Sequence, residues 1–424
     1  MFKVEIISKE SVKPSSPTPD NLRTFRLSLL DQIIPPLEYT SYIQCYSHDK
    51  ITSNVNQAEI YSLLKRSLSD ALVLYYPFAG RLKDDSTVDC DDQGVDFFEA
   101  RVDAYLSDII QAAQIEELTQ FAPRKSEEIG GVLLSIQLNY LNCGAIVIGI
   151  TMSHKIVDGC AAGMFVKTWA SIARGETDTV APSFVAPSFF PPKETIPYDR
   201  MTGDDRPTPP PPTPWVDIRR FCFSSSKIAA LRTEVVEAGN VVKPTRIELV
   251  TAALWKWVIA KKGRLSVASH LVNIRRRMDP PLSESAFGNL FRGVFALGDG
   301  EMDLGELITK MREATGKIDS EFLKEMQGEN GNDMLLREFM KMGEYMFDKE
   351  VDCVMFTSWC GLPFYGWDFG WGKLAWVSPA CRGYANNITL IDSVSDIGGI
   401  EAWIPMDGVD TTILEQKLLD ILVE

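Results

Sequence analysis

A chain of 424 residues, 45% hydrophobic and 24% charged, has the makeup of a globular protein and enough length to bury a large core in two or three domains. Its formal charge of −15 argues against nucleic acid or an anionic membrane surface as the main partner, because both reward clustered lysine and arginine. The eight cysteines (Cys45, Cys90, Cys143, Cys160, Cys222, Cys353, Cys360 and Cys381) include no CxxC pair and no histidine at ligand spacing. They read as free thiols in a reducing compartment, and no metal site is expected.

The first residues, MFKVEIISKESVK, lack the apolar stretch of a signal peptide. The best apolar run, GAIVIGITM at 144–152, is about half of what a membrane helix needs. A cytosolic protein is therefore expected, with the sequon at Asn387 unused.

In chain order, residues 56–76 place Ile60, Leu63, Leu64, Leu68, Ala71 and Leu72 at helical spacing. Residues 86–103 alternate around the turn-like DDQG and read as a hairpin. Residues 132–153 read as strand, turn at 142–144, and strand. After them, CAAGMFVKTWASIA puts Ala161, Met164, Phe165, Trp169 and Ile172 on one helical face. Residues 181–215 are proline-rich and culminate in TPPPPTP at 208–214, which favours an extended, semi-rigid connector. Residues 245–248, TRIE, form a capping box ahead of the apolar run LVTAALWKWVIAKK. The class is a mixed α/β (α+β) fold of two similar-sized domains, 1–180 and 216–424, joined by the linker 181–215.

Two short segments carry candidate chemistry. The chain has three histidines, His48, His154 and His270. His154 sits in TMSHKIVDG, at the junction between a buried strand and a helix, with Asp158 four residues on. Two readings stand side by side. His154 is a structural histidine and Asp158 a helix cap, or His154 is a base at the end of a sheet, where clefts form. A metal site lacks a third ligand. The second segment is WDFGWGK at 367–373. Its Asp-Phe-Gly is not that of a protein kinase, since no glycine-rich loop, VAIK lysine or HRD stretch precedes it. The glycines around Trp371 suggest a tight loop, with Asp368 accepting hydrogen bonds from neighbouring amides or pairing with a base.

HxxxDG followed about two hundred residues later by DFGWG resembles the plant BAHD acyltransferases, which move an acyl group from coenzyme A to an alcohol or amine. The resemblance extends along the chain: KPSSPTP and LSLLDQ, YYPFAGRL, VDCDDQGVDFFEA, VNIRRRMDPPL with the following GN, FTSW and IEAWIPM. The N-terminal stretches most resemble a branch that acetylates alkaloid hydroxyls and also contains acylsugar acyltransferases. Two departures are visible. Leu374 stands where proline is expected, and SVSDIGG replaces the usual Gly-Asp-Gly before IEAW.

The resemblance implies two chloramphenicol-acetyltransferase-like domains joined by a long crossover loop, with His154 midway along a channel. It implies a monomer that uses acetyl-CoA or another acyl-CoA as co-substrate, a small-molecule alcohol as acceptor, and no permanently bound cofactor. His154 is then the general base, acting in a ternary complex without an acyl-enzyme. Asp158 is structural and paired with an arginine, Arg275 of NIRRRM, with Arg277 as the alternative. Coenzyme contacts are expected at Gly288, Asn289, Thr357 and Ser358. Asp368, Gly370, Trp371 and Gly372 form a structural loop. Amine acceptors, other acyl donors and a non-catalytic partner protein of the same fold are the competing readings.

Overall fold

The computed structural model describes residues 2–47, 56–112, 114–124, 127, 131–193, 217–239, 241–262, 265–348, 350–371, 374–381 and 387–406. Eight strands are laid down before the middle of the chain: β1 (Lys3–Val12), β2 (Thr24–Arg26), β3 (Tyr39–Tyr46), β4 (Arg81–Leu82), β5 (Thr87–Asp89), β6 (Val95–Asp103), β7 (Leu134–Leu141) and β8 (Ile146–Ser153). β7 and β8 pair antiparallel, with Leu134 opposite Met152, as the strand–turn–strand pattern predicts. Every residue of both strands is buried: β8 reads as a near-continuous apolar run, while β7 alternates yet buries Ser135, Gln137 and Asn139 as well. β8 also pairs antiparallel with β3, and β6 lies between β1 and β7.

The hairpin expected at 86–103 does not form. β5 joins β2 and β4 in a small three-stranded sheet, while β6 enters the large one. The turn itself is present, with Asp92 and Gly94 both at positive φ. The Asp92 carboxylate accepts from the amide and hydroxyl of Thr18 at 2.9 and 2.6 Å, and the strands on either side find other partners, β5 with β2 and β4, β6 with β1 and β7. Alternation identifies strands, but it does not choose their partners.

Three helices matter most here: α1 (Leu29–Gln32), α2 (Gln57–Leu74) and α3 (Gly159–Ala173). α2 opens at a capping box between Asn56 and Glu59. It packs against α3 through the fully buried Trp169, whose indole N–H donates to Ser67 Oγ at 3.0 Å.

The later strands are β9 (Asp217–Phe223), β10 (Ser266–Asn273), β11 (Phe291–Gly298), β12 (Asp352–Ser358), β13 (Trp376–Pro379), β14 (Asn387–Asp392) and β15 (Ile400–Met406). All except β13 form a second six-stranded sheet in the order β11-β10-β12-β14-β15-β9. The capping box at Thr245 and Glu248 opens the helix Arg246–Lys262 as expected, with Thr245 N–H donating to the Glu248 carboxylate at 2.7 Å. β13 instead pairs with β3, at the edge of the first sheet.

The chain thus divides into two compact units, but not at the expected boundaries. The first comprises Met1–Ile196, Leu282–Leu290 and Leu362–Arg382, and the second comprises Pro197–Pro281, Phe291–Gly361 and Gly383–Glu424. The DFGWG segment, expected in the 216–424 domain, belongs to the first unit, because β13 completes that unit's sheet. The described part of the 181–215 linker also belongs there. Ser183 bridges to Ala286, and Ala186–Phe189 form a helical turn. The TPPPPTP run lies outside the described residues. Among the described residues, no helix is long and apolar enough to cross a membrane.

Candidate active site

β8 runs buried to Ser153, and the chain then turns into α3. His154 is the one residue of 151–158 that is not buried. Its amide donates to the Glu38 carbonyl at 2.8 Å, which ties the junction to the start of β3. The next residue, Lys155, is fully buried. Its ammonium donates to the carbonyls of Gln32 and Ile34 and to the Asp85 carboxylate, each at 2.8 Å. Burial lowers the Lys155 pKa, and Asp85 opposes that shift. These anchors on either side fix where the imidazole stands.

Asp158 is the N-cap of α3. One carboxylate oxygen accepts from the Ala161 N–H at 2.8 Å, and the other accepts from the Leu290 N–H at 3.0 Å. The capping role raised by the sequence is therefore real, and it comes with a second tie to a distant segment.

That segment, Leu282–Leu290, brings Asn289 to the histidine. Phe287 anchors it, with its ring 5.3 to 6.0 Å from those of Phe25, Tyr75, Phe78 and Phe184. Gly288 follows at φ +121°, and a Cβ there would meet Ala186 at 3.3 Å and both Asp31 carboxylate oxygens at 3.4 Å. Only glycine suits that conformation and that approach. Asn289 itself is 1% exposed. Its Oδ1 lies 3.0 Å from His154 Nδ1, and its Nδ2 donates to the His154 carbonyl at 2.8 Å and to Asp31 Oδ1 at 2.9 Å. Gly288 and Asn289 were expected as coenzyme contacts. Both are buried, and the Asn289 amide is engaged by His154 and Asp31 instead.

Sequence reasoning missed Asp31. It is 2% exposed and forms a capping box with Ser28 at the start of α1. Burial raises its pKa, while the hydrogen bonds from Ser28 and Asn289 oppose the rise. The available signal was the Ser-x-x-Asp spacing inside LSLLDQ, a capping-box pattern.

The remaining candidates lie elsewhere. Arg275 is fully buried in the turn Arg275–Arg277 of the second unit, where its backbone amide donates to Asn273 Oδ1 at 3.1 Å. Arg277 is engaged there by the Thr315 and Ile318 carbonyls, the latter at 2.9 Å. Thr357 and Ser358 end β12 in the second unit, both half-buried. Thr357 Oγ1 donates to Asn387 Oδ1 at 2.9 Å, and Ser358 Oγ accepts from the Cys360 N–H at 3.3 Å.

In the DFGWG segment, Asp368 accepts from the Gly370 N–H at 2.8 Å and closes the turn, with Gly370 at φ +101°. The Asp368 carbonyl accepts from the Arg174 guanidinium at the end of α3. The flanking aromatics are plugged into the first unit. Trp367 donates to the Gly163 carbonyl at 3.2 Å, Phe369 packs edge-on to Trp169 at 4.8 Å, and Trp371 meets Tyr46 at 6.0 Å. Gly372 lies outside the described residues. Leu374, at the position expected for proline, is buried.

His154 is thus a partly exposed histidine, clamped at a strand-to-helix junction of the first unit. The chain belongs to the Transferase family, whose profile matches residues 2–417, and is an acyl-CoA-dependent acyltransferase of the BAHD type. It is 34% identical to stemmadenine O-acetyltransferase of Catharanthus roseus, over 99% of this chain and 98% of that one. It is 35% identical to vinorine synthase of Rauvolfia serpentina, over 99% and 98%. The crystal structure of vinorine synthase superposes with a TM-score of 0.83 at 34% identity, covering 99% of this chain and 98% of that chain. A structure of F. sporotrichioides TRI101 with coenzyme A and T-2 shares the fold, with a TM-score of 0.65 at 16% identity over 90% and 94% of the two chains.

Proposed function

We propose that this enzyme transfers an acetyl group from acetyl-CoA to a hydroxyl of an alkaloid or terpenoid, with His154 as the general base. The observation that carries the reading is the position of His154, half-exposed among buried neighbours and held through Nδ1 by the buried Asn289. With Nδ1 facing Asn289, Nε2 is the ring atom that this reading assigns to proton transfer. Nε2 takes the hydroxyl proton as the oxygen attacks the thioester carbonyl, a contribution of about 10²- to 10⁴-fold. The C–S bond of the tetrahedral intermediate then breaks, and the imidazolium returns its proton to the departing thiolate. No protein nucleophile enters, so both substrates are bound together.

Asp158 acts structurally in this reading, and Arg275 is its proposed charge partner, since a buried carboxylate and a buried guanidinium each need compensation. Arg277 is the weaker choice, because carbonyls of its own unit engage it. Thr357 and Ser358 are the proposed coenzyme contacts, as half-buried hydroxyls at a strand end. The acceptor class rests on relatives named as O-acetyltransferases of stemmadenine and of limonoids. The eight cysteines, none of them in a disulfide, support a cytosolic setting, and the family resemblance supports a monomer.

The test is incubation with acetyl-CoA and a panel of hydroxylated alkaloids and terpenoids, following thiol release and product mass. Acetylated product that disappears in His154→Ala supports the reading. Full turnover in His154→Ala sinks the base assignment. Coenzyme binding without turnover of acetyl-CoA or longer acyl-CoAs points to a non-catalytic partner protein.

A further inference from the structure

Only one orientation of the Asn289 side chain satisfies all of its neighbours. Two of them, Asp31 Oδ1 and the His154 carbonyl, accept hydrogen bonds, and they stand 2.9 and 2.8 Å from Nδ2. The amide NH2 must face them, so the amide oxygen faces the ring, 3.0 Å from His154 Nδ1. An amide oxygen only accepts, and Nδ1 must therefore carry the proton. We propose that Asp31 and Asn289 are positioning residues that lock His154 in its Nδ1–H tautomer and so place the ring's lone pair on Nε2. This rests on His154 being the base, and it adds which residues make it one.

Asp31 is built to hold this orientation. Its Oδ2 accepts from the amide and hydroxyl of Ser28 at 2.8 and 2.6 Å. Its Oδ1 accepts from the Asn289 backbone N–H at 2.7 Å as well as from the side chain. Four donors converge on a carboxylate that is 2% exposed, so it cannot turn without leaving buried donors unmet. Capping α1 uses only the Ser28 side of this network. The Asn289 side fixes an amide whose other end sets the imidazole. The wrong tautomer in a serine-type triad lowers kcat by about 10⁴-fold, which sets the scale of what such a clamp protects.

The experiment is imidazole ¹⁵N NMR on the full-length labelled chain with the rings neutral. The chain has three histidines, and the His154 signals are assigned by their loss in His154→Ala. The wild type is expected to show Nδ1–H with an unprotonated Nε2. Asp31→Ala and Asn289→Ala should move His154 to mixed or Nε2–H tautomers and lower kcat by about 10²-fold or more, with KM for acetyl-CoA within about threefold. Asp31→Asn keeps an oxygen toward Asn289 and should keep the Nδ1–H pattern. An Nε2–H signal in the wild type overturns the proposal, as does an unchanged tautomer in the alanine variants even if their Tm falls. If one alanine variant does not fold, the other variant and the wild-type spectrum still decide. Failure of the base reading appears separately, as turnover in His154→Ala.

Discussion

The Asp158 carboxylate holds the Leu290 amide at 3.0 Å across 132 residues of sequence while its other oxygen caps α3 at Ala161. One side chain thereby sets both the helix that follows the histidine and the segment that delivers Asn289 to it. The aspartate of HxxxD acts on His154 through the backbone of the helix and of the segment that it ties together.

Asp158→Ala should lose stability and rate together. Losing a helix cap and leaving a second buried amide unmet costs about 2–3 kcal/mol. The Tm and kcat, measured on the same preparation, should both fall. Retained Tm with lost rate contradicts the structural role.

Phe287→Ala should destabilise the first unit by about 3–5 kcal/mol, since it empties the centre of an aromatic cluster. Phe287→Leu fills much of that space but loosens the segment before Asn289. Denaturant unfolding with steady-state kinetics should show a smaller stability loss in the leucine variant and a lower kcat. Wild-type kcat in the leucine variant would mean that the cluster does not position Asn289.

Gly370→Ala should cost about 1–3 kcal/mol, because an alanine at φ +101° is strained. Asp368→Ala, which removes the bond to the Gly370 N–H, should cost about 1 kcal/mol. Thermal unfolding checks both. Equal stability to wild type in Gly370→Ala would show that the loop relaxes freely.

His270 lies against Phe356 in the second sheet, the rings stacked at 5.2 Å, and burial pushes its pKa from 6.5 down to about 4. The unfolded chain then binds the proton more readily, so stability falls as pH drops from 6.5 toward 4. His270→Phe should remove that part of the acid destabilisation while keeping the stack. Unfolding curves across this window decide it, and identical pH slopes for the two proteins would refute the assignment.

What was legible in the sequence was local. Periodicity gave α2, α3, β7 and β8, and capping-box spacing gave the helix after Thr245. The motif pair located both His154 and the loop around Asp368. Partner choice was not legible, since strands 87–89 and 95–103 alternate like a hairpin yet enter different sheets. Asp31 carried a visible cap signal, but nothing in its spacing points to an asparagine 258 residues away. Gly288 and Asn289 looked like loop residues at a ligand, because a buried clamp and an exposed contact share the same letters until the fold brings a second carboxylate beside them.

The first unit borrows its edge strand and its asparagine from late in the chain, and this bears on how the protein is made. A ribosome releases the histidine early, but Asn289 follows 135 residues later and β13 later still. At roughly 5–20 residues per second the nascent first half waits many seconds with an open sheet edge and an unclamped histidine. A split of the gene at the proline-rich segment would make that wait permanent, and the N-terminal fragment would emerge as an aggregation-prone strand edge rather than half an enzyme.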